Sequence, residues 1–164
     1  MKLKSISVFL LTILLTGATF AQKRPGWGFG MTLGDPTGFT VKYNSTKYNS
    51  WNFTLGSSYF GGLRLGADYL WHFNPFNSNN VIMHVGFGGV IGFGESHSIV
   101  FYNSNRHFYL HEDETGIGIR GVVGIDYYPV SSPLEIFIEM GPLLGLVPRA
   151  GSAFDVAMGL RYYP

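Results

Sequence analysis

Cysteine is absent from all 164 residues. The chain therefore cannot form a disulfide, although proteins exported into oxidising compartments often use them. It also has no cysteine to which a lipid could be attached after removal of a leader. Packing and backbone hydrogen bonds must hold the fold together.

Charge is also scarce. Asp, Glu, Lys and Arg make up 13% of the residues, where a soluble domain has about 25%. Of the eleven basic residues only Lys2 and Lys4 lie in the first 21 positions, so residues 22–164 carry nine basic and ten acidic residues, a net charge of −1 with histidine neutral. Nucleic-acid binding needs a basic patch, so no nucleic-acid partner is expected.

Long apolar runs are missing from residues 22–164. No segment there has the ~18 uninterrupted apolar residues of a transmembrane helix. Aromatic residues (16%) and glycine (23 residues) are abundant instead. The remaining structure that can span lipid is a closed β-barrel, because its backbone groups are all satisfied between strands.

Residues 1–21 have the three parts of a signal peptide. Lys2 and Lys4 form a basic start, Ile6 to Leu15 an apolar core, and Thr19 and Ala21 place small residues before a cleavage site. We expect cleavage after Ala21, which leaves residues 22–164 as one barrel domain. The alternative is a retained anchor, but the core is shorter than the ~20 apolar residues that a spanning helix needs.

Eight segments of residues 22–164 alternate between apolar residues and small or polar ones, the period-two pattern of strands with two different faces. The first segment places Trp27, Phe29, Met31 and Leu33 opposite Gly28, Gly30 and Thr32. Eight is an even number, as single-chain bacterial barrels require. The pattern predicts an all-β fold, an eight-stranded antiparallel up-and-down transmembrane β-barrel.

Nine charged residues fall on the faces opposite the apolar stripes, and none falls on the stripes. They are Lys42, Arg64, Asp68, Arg120, Asp126, Glu135, Glu139, Asp155 and Arg161. A soluble β-sandwich or lipocalin-like barrel, the alternative, would carry its charges outside. A charge facing lipid near the midplane costs ~2–4 kcal/mol, which explains their absence from the apolar side. We predict that the nine pair inside a filled barrel; inward charges lining a narrow polar channel are the alternative.

Aromatic residues of the apolar faces collect at one end. If both termini lie in the periplasm, the residues nearest that rim form an interfacial girdle. They are Trp27, Tyr43, Trp51, Trp71, Tyr127 and Tyr162. The expected outer connections are residues 34–38, 58–62, 95–113 and 146–152, and the expected inner turns are residues 44–50, 74–80 and 129–133.

Several segments resemble a poorly characterised family of small outer-membrane barrels, similar in size to the transmembrane domain of OmpA. They are Leu33 to Gly38, Tyr69 to His72, Gly118 to Gly121, Leu134 to Glu139 and Gly159 to Tyr163. The resemblance covers nearly all of residues 22–164 and implies a fold and a location without an established reaction. The ending Tyr162-Tyr163-Pro164 departs from the terminal phenylalanine that is usual in outer-membrane proteins.

The third outer loop holds the candidate sites. Its aromatic and arginine content is typical of binding surfaces, and the candidate binding residues are Phe101, Tyr102, Arg106, His107, Phe108 and Tyr109. Glu95, Ser96, His97 and Ser98 offer the residue types of a Ser-His-carboxylate hydrolase, but they are consecutive and nothing orients the histidine. His107, His111 and the acidic residues 112–114 fit a solvated loop better than a metal site.

The sequence therefore predicts a non-enzymatic barrel in the outer membrane of a Gram-negative-type bacterium. Its role would be structural or surface recognition through the third loop. A lipid-modifying hydrolase and a narrow channel are the alternatives. The expected partners are outer-membrane lipids, the assembly machinery of that membrane and an unidentified extracellular ligand. We expect a monomer without a cofactor or metal.

Overall fold

Eight β-strands follow one another along the chain. The computed structural model describes residues 26–94, 115–130, 132–147 and 150–164. The strands are β1 (Gly26–Gly34), β2 (Thr37–Asn44), β3 (Asn49–Ser57), β4 (Leu63–Phe73), β5 (Val81–Phe93), β6 (Thr115–Tyr127), β7 (Leu134–Val147) and β8 (Gly151–Tyr162). In the described ranges there is no helix of the length and apolar character needed to cross a bilayer.

Each strand pairs antiparallel with the next one in the chain, and a seam between β1 and β8 closes the sheet into a barrel. The seam runs from the pair Phe29 and Tyr162 to the pair Gly34 and Ala157. Closure gives the backbone groups of the first and last strands a partner, so neither edge is left open. The predicted eight-stranded antiparallel up-and-down barrel is confirmed.

The two ends of the barrel differ in their connections. We name the end with residues 45–48, 74–80 and 128–133 the turn end, and the end with residues 35–36, 58–62, 94–114 and 148–150 the loop end. Strand pairing extends further than the sequence predicted. Thr37 belongs to β2, where it pairs with Ser57 of β3. Its Oγ1 donates to the Gly34 carbonyl (2.8 Å) and accepts from the Gly34 N–H (3.1 Å). The first outer connection is therefore two residues, not five.

Side chains alternate between the two faces of every strand. The outer face carries large apolar residues that are about half exposed, such as Phe29 (51%) and Ile138 (48%). The inner face carries the charged residues together with apolar side chains that are 1% exposed or less, such as Leu70, Phe137 and Leu143. An eight-stranded barrel has an interior that side chains can fill, and these do so.

A small apolar cluster lies near each end of the interior. Ile82, Tyr128 and Tyr163 pack together at the turn end. Phe60, Val90 and Leu143 pack together at the loop end, with Ala153 against them. The polar interior is therefore enclosed between two apolar layers.

Candidate functional site: the charged interior of the barrel

All nine charged residues that the alternation placed inside are buried, with at most 4% of each exposed. A tenth, Asp35, is 7% exposed and joins them. The sequence places it in a turn, because Gly34 to Gly38 has the composition of a loop. The interior thus holds four basic and six acidic side chains within the part of the chain that the structure describes.

The ion pairs of the loop-end half centre on two arginines. Arg64 Nη2 lies 2.5 Å from Asp155 Oδ2. Arg120 contacts three carboxylates: its Nη2 lies 3.1 Å from Glu139 Oε1, its Nε 3.4 Å from Asp68 Oδ1 and its Nη1 3.6 Å from Asp155 Oδ2. The Arg120 guanidinium is shared among carboxylates from three strands, and together with the pair of Arg64 and Asp155 these contacts connect β4, β6, β7 and β8 through the interior.

Asp35 joins the ion pairs of this half from the loop end. Its Oδ1 lies 3.5 Å from Arg64 Nη1, which also donates to Ser58 Oγ at 3.1 Å. Burial raises the pKa of Asp35 above its ordinary value, and a hydrogen bond with Ser58 and the charge of Arg64 oppose that shift. The turn between β1 and β2 is therefore tied to the interior and is not a free surface loop.

Lys42 and Arg161 hold the carboxylates of the turn-end half. Lys42 Nζ lies 2.9 Å from Asp126 Oδ2 and 3.1 Å from Glu135 Oε1. Arg161 Nη1 forms an ion pair with the same Glu135 oxygen. The Arg161 guanidinium also stacks 3.6 Å from the centre of the Phe137 ring, a cation–π contact.

Two tyrosines at the turn end donate hydrogen bonds to Glu135. The hydroxyls of Tyr128 and Tyr163 donate to Glu135 Oε2 at 2.9 and 2.5 Å. Burial, together with the negative charge of Glu135, raises the pKa of both tyrosines above the ordinary value of 10.0. Sequence reasoning missed both residues. Their inward side follows from the alternation alone, because each comes directly after an outward tyrosine that ends a strand.

Asn52 joins the two halves. Its Oδ1 accepts from Arg161 Nη2 (3.1 Å) and from Thr40 Oγ1 (3.0 Å), and its Nδ2 lies 3.4 Å from Asp68 Oδ2. The polar interior is thus one connected network from Asp35 at the loop end to Tyr163 at the turn end.

A histidine pair lies within the turn-end half. His72 of β4 and His84 of β5 are directly opposite each other, with ring centres 5.6 Å apart. Both approach Asp126 Oδ2, His84 through Nδ1 at 3.0 Å and His72 through Nε2 at 3.4 Å. Gly124 of β6 makes room for the His84 ring, since a Cβ there would lie 2.5 Å from Nε2.

The six girdle residues all lie on the outer face towards the turn end. The register pairs Trp27 with Tyr43 and Tyr43 with Trp51, and the rings of Trp27 and Tyr43 are 4.6 Å apart. Tyr69, which the sequence analysis did not include, extends the row by contacts of about 5 Å with Trp51 and Trp71. Tyr127 and Tyr162 are 44% and 50% exposed at the ends of β6 and β8.

The outer wall also has an apolar groove with a volume of about 600 Å³. It forms where Ala67 of β4 and Gly89 of β5 stand side by side. Larger apolar residues, including Phe39, Phe53 and Ile91, border it. The groove offers no charged group.

Several sequence-predicted residues lie outside the described ranges. They are the signal peptide 1–21, the candidate binding residues Phe101, Tyr102, Arg106, His107, Phe108 and Tyr109, the hydrolase candidates Glu95 to Ser98, and the group His111 to Glu114. These remain predictions from the sequence.

Comparison of the chain with protein-family models, with curated proteins and with solved structures found no match. The resemblance to small outer-membrane barrels therefore stays a prediction.

Proposed function

We propose that this chain is an integral β-barrel of a Gram-negative-type outer membrane, exported with a signal peptide that is cleaved after Ala21. Its role is structural or surface recognition, without catalysis. One observation carries the proposal: ten charged side chains are buried, and Lys47, in a turn, is the one exposed charge among the described residues. A soluble protein has the opposite arrangement. A hydrocarbon environment explains it, because an outward charge near the midplane costs ~2–4 kcal/mol.

The aromatic girdle supports an orientation. Tryptophan and tyrosine prefer the level of the lipid headgroups, and all three tryptophans of the chain lie on the outer face towards the turn end. In this proposal the turn end faces the periplasm and the loop end faces outward. Outer-membrane lipids then contact the apolar wall, including its groove, and the protein inserts as a monomer through the assembly machinery of that membrane.

The filled interior favours a closed barrel over a channel. The lumen is occupied by paired charges and by apolar side chains such as Leu70 and Phe137. The purified barrel in a planar bilayer is expected to show no stepwise conductance. Reproducible single-channel steps would reject this part of the proposal and favour the channel alternative.

Protease treatment of intact cells tests location and orientation together. Samples are run unboiled and boiled, because a folded membrane barrel migrates differently from its denatured chain. We expect a heat-dependent shift and a single region of cleavage between residues 95 and 113. Recovery of the chain from the soluble periplasm, without a shift, would contradict the membrane location.

Tryptophan fluorescence gives an independent test, because Trp27, Trp51 and Trp71 are the only tryptophans. The barrel is reconstituted in vesicles whose lipids carry bromine at a shallow, middle or deep position of the acyl chain. We expect the strongest quenching from the shallow bromine. If none of the three brominated lipids quenches the fluorescence, the outer wall does not contact lipid.

The surface role is tested at the third loop. Residues 97–111 are replaced by a Gly-Ser linker of equal length, which keeps β5 and β6 connected. We expect an unchanged heat-dependent shift but reduced adhesion of cells to glass or to mucin-coated surfaces.

The hydrolase alternative is tested by Ser98→Ala, which should leave the lipid profile of the cells unchanged; an altered profile would favour catalysis.

A further inference from the structure

Three potential metal ligands converge inside the turn-end half of the barrel. They are His72 of β4, His84 of β5 and Asp126 of β6, all buried. One ligand atom from each lies within 4.8 Å of the others. Two imidazoles and a carboxylate form a ligand set that divalent transition metals prefer.

One contact of His72 identifies the tautomer of its neutral ring. Its Nδ1 lies 3.3 Å from the Tyr48 carbonyl oxygen, which can only accept a hydrogen bond, so Nδ1 carries the proton. In the neutral ring Nε2 then presents its lone pair to Asp126 Oδ2, 3.4 Å away. A carboxylate oxygen is also an acceptor, so a positively charged species is needed between the two atoms.

The separation between His72 and Asp126 fits a metal ion better than a shared proton. A charge-assisted hydrogen bond would bring the two atoms to about 2.7–2.9 Å. A tetrahedral zinc ion with bonds of about 2.0–2.1 Å separates its ligand atoms by about 3.3 Å. His72 Nε2 lies 3.4 Å from Asp126 Oδ2, close to the tetrahedral value, whereas His84 Nδ1 lies 3.0 Å from the same oxygen, a hydrogen-bond distance.

His72 has the supporting partner that metal-bound histidines usually have. Such rings donate their second N–H to a backbone carbonyl or a carboxylate. For His72 that acceptor is the Tyr48 carbonyl. The carboxylate near the second nitrogen of His84 is Glu139, whose Oε2 lies 3.9 Å from Nε2, beyond hydrogen-bond distance. The arrangement leaves one nitrogen of each ring directed towards Asp126.

The other contacts of Asp126 leave it able to bind an ion. Lys42 also contacts Asp126 Oδ2, at 2.9 Å, but it has a second carboxylate in Glu135 at 3.1 Å. Asp126 Oδ1 accepts no hydrogen bond from the described residues, so the carboxylate has a second oxygen beside Oδ2 with which to bind the ion.

We propose that His72, His84 and Asp126 bind one divalent transition-metal ion of the zinc class inside the barrel. This goes beyond the sequence-based expectation of no metal. The ion would connect β4, β5 and β6 at the turn end, and its role would be structural because the site is enclosed. Binding is measured on purified protein, so the outcome does not depend on where the barrel resides in the cell.

The other histidines of the chain can be removed so that they do not bind the metal in the test. It has five histidines, and the triple variant His97→Gln, His107→Gln, His111→Gln retains His72 and His84 alone. The tag-free triple variant is folded in detergent, stripped with a chelator and titrated with Zn²⁺ by calorimetry. We expect one ion per chain. Adding His84→Gln should abolish binding.

A second measurement does not need variants of the ligands. It therefore tests the proposal even if those variants fail to fold, as judged by the heat-dependent gel shift. In the triple variant the ¹⁵N resonances of the two imidazoles are recorded with and without Zn²⁺. Zn²⁺ should shift Nε2 of His72 and Nδ1 of His84. Absence of binding by the folded triple variant overturns the proposal, as do ring nitrogens that stay fully protonated and unchanged in Zn²⁺. Undiminished binding after removal of both histidines overturns it as well.

Discussion

Arg64 and Asp155 form an ion pair across the interior of the barrel, with Nη2 and Oδ2 2.5 Å apart. The two residues are 91 positions apart in the chain and lie on β4 and β8. These strands are four places apart around an eight-stranded ring, so they lie on opposite walls. The pair therefore connects parts of the barrel that share no backbone hydrogen bonds.

Arg64→Met should destabilise the barrel strongly, because it removes the ion-pair partner of Asp35 and leaves Asp155 with only its longer contact to Arg120, at 3.6 Å. Breaking a buried ion pair costs about 3–5 kcal/mol. The free energy of unfolding is measured by urea titration in lipid vesicles, with the gel shift as the signal. Lys47→Met, at an exposed turn position, is the control. The double variant Arg64→Met, Asp155→Leu should recover much of the loss; recovery of none would mean that the pair itself is not responsible.

Val123→Arg tests the nature of the outer wall. Val123 is 40% exposed on the outer face near the middle of β6. Facing lipid, an arginine there should cost ~2–4 kcal/mol. The same change at Tyr48, 45% exposed in the turn 45–48, should be almost neutral. Equal stabilities of the two variants in vesicles would indicate that the middle of the wall meets water.

Gly124→Ala tests the packing around His84. A Cβ at residue 124 would lie 2.5–2.6 Å from two His84 ring atoms and 2.7 Å from the Ile138 carbonyl oxygen, so the ring must move. Overpacking of this kind costs about 1–3 kcal/mol. Gly121, on the outer face of the same strand, would meet only Pro142, at 3.5 Å. Gly121→Ala is therefore the matched control, and urea unfolding should separate the two variants clearly.

The barrel should lose stability in alkali through Tyr128 and Tyr163. Their pKa values are raised in the folded chain, so the unfolded chain releases these protons first, above pH 10. Stability from both groups is fully present below that pH. It then falls by up to about 1.4 kcal/mol per pH unit for each tyrosine. Unfolding midpoints between pH 9 and 11 should fall less steeply in the variant Tyr128→Phe, Tyr163→Phe. Tyr48→Phe, Tyr162→Phe is the control, and identical slopes in the two variants would contradict the assignment.

The two faces of the strands were predictable from the sequence, because alternation has the same period as the pleat. The face that Val90 occupies was harder to predict. It is buried, whereas Gly89 beside it faces outward. A glycine gives no sign of which face it occupies, so only the continuation of the alternation along β5 assigns both residues.

The partners inside the barrel were not predictable in the same way. Arg64 and Asp155 meet because of strand register and barrel closure, and neither is encoded in the alternation. His72 and His84 are opposite each other because the seven-residue turn 74–80 sets the register of β4 and β5. Asp35 was missed because its burial depends on Arg64, which lies 29 positions away. Local sequence therefore determined the faces, and long-range geometry determined the contacts.

The seam between β1 and β8 determines when the barrel can close during folding. Its pairs join residues more than 120 positions apart, such as Gly34 and Ala157. Contacts so distant in sequence form slowly, because the chain must close a long loop before they can stabilise it. While the chain is being made, β1 has no eighth strand to pair with, so the ring cannot close until β8 is available. The edge of β1 therefore stays open to other pairing until that strand has been made.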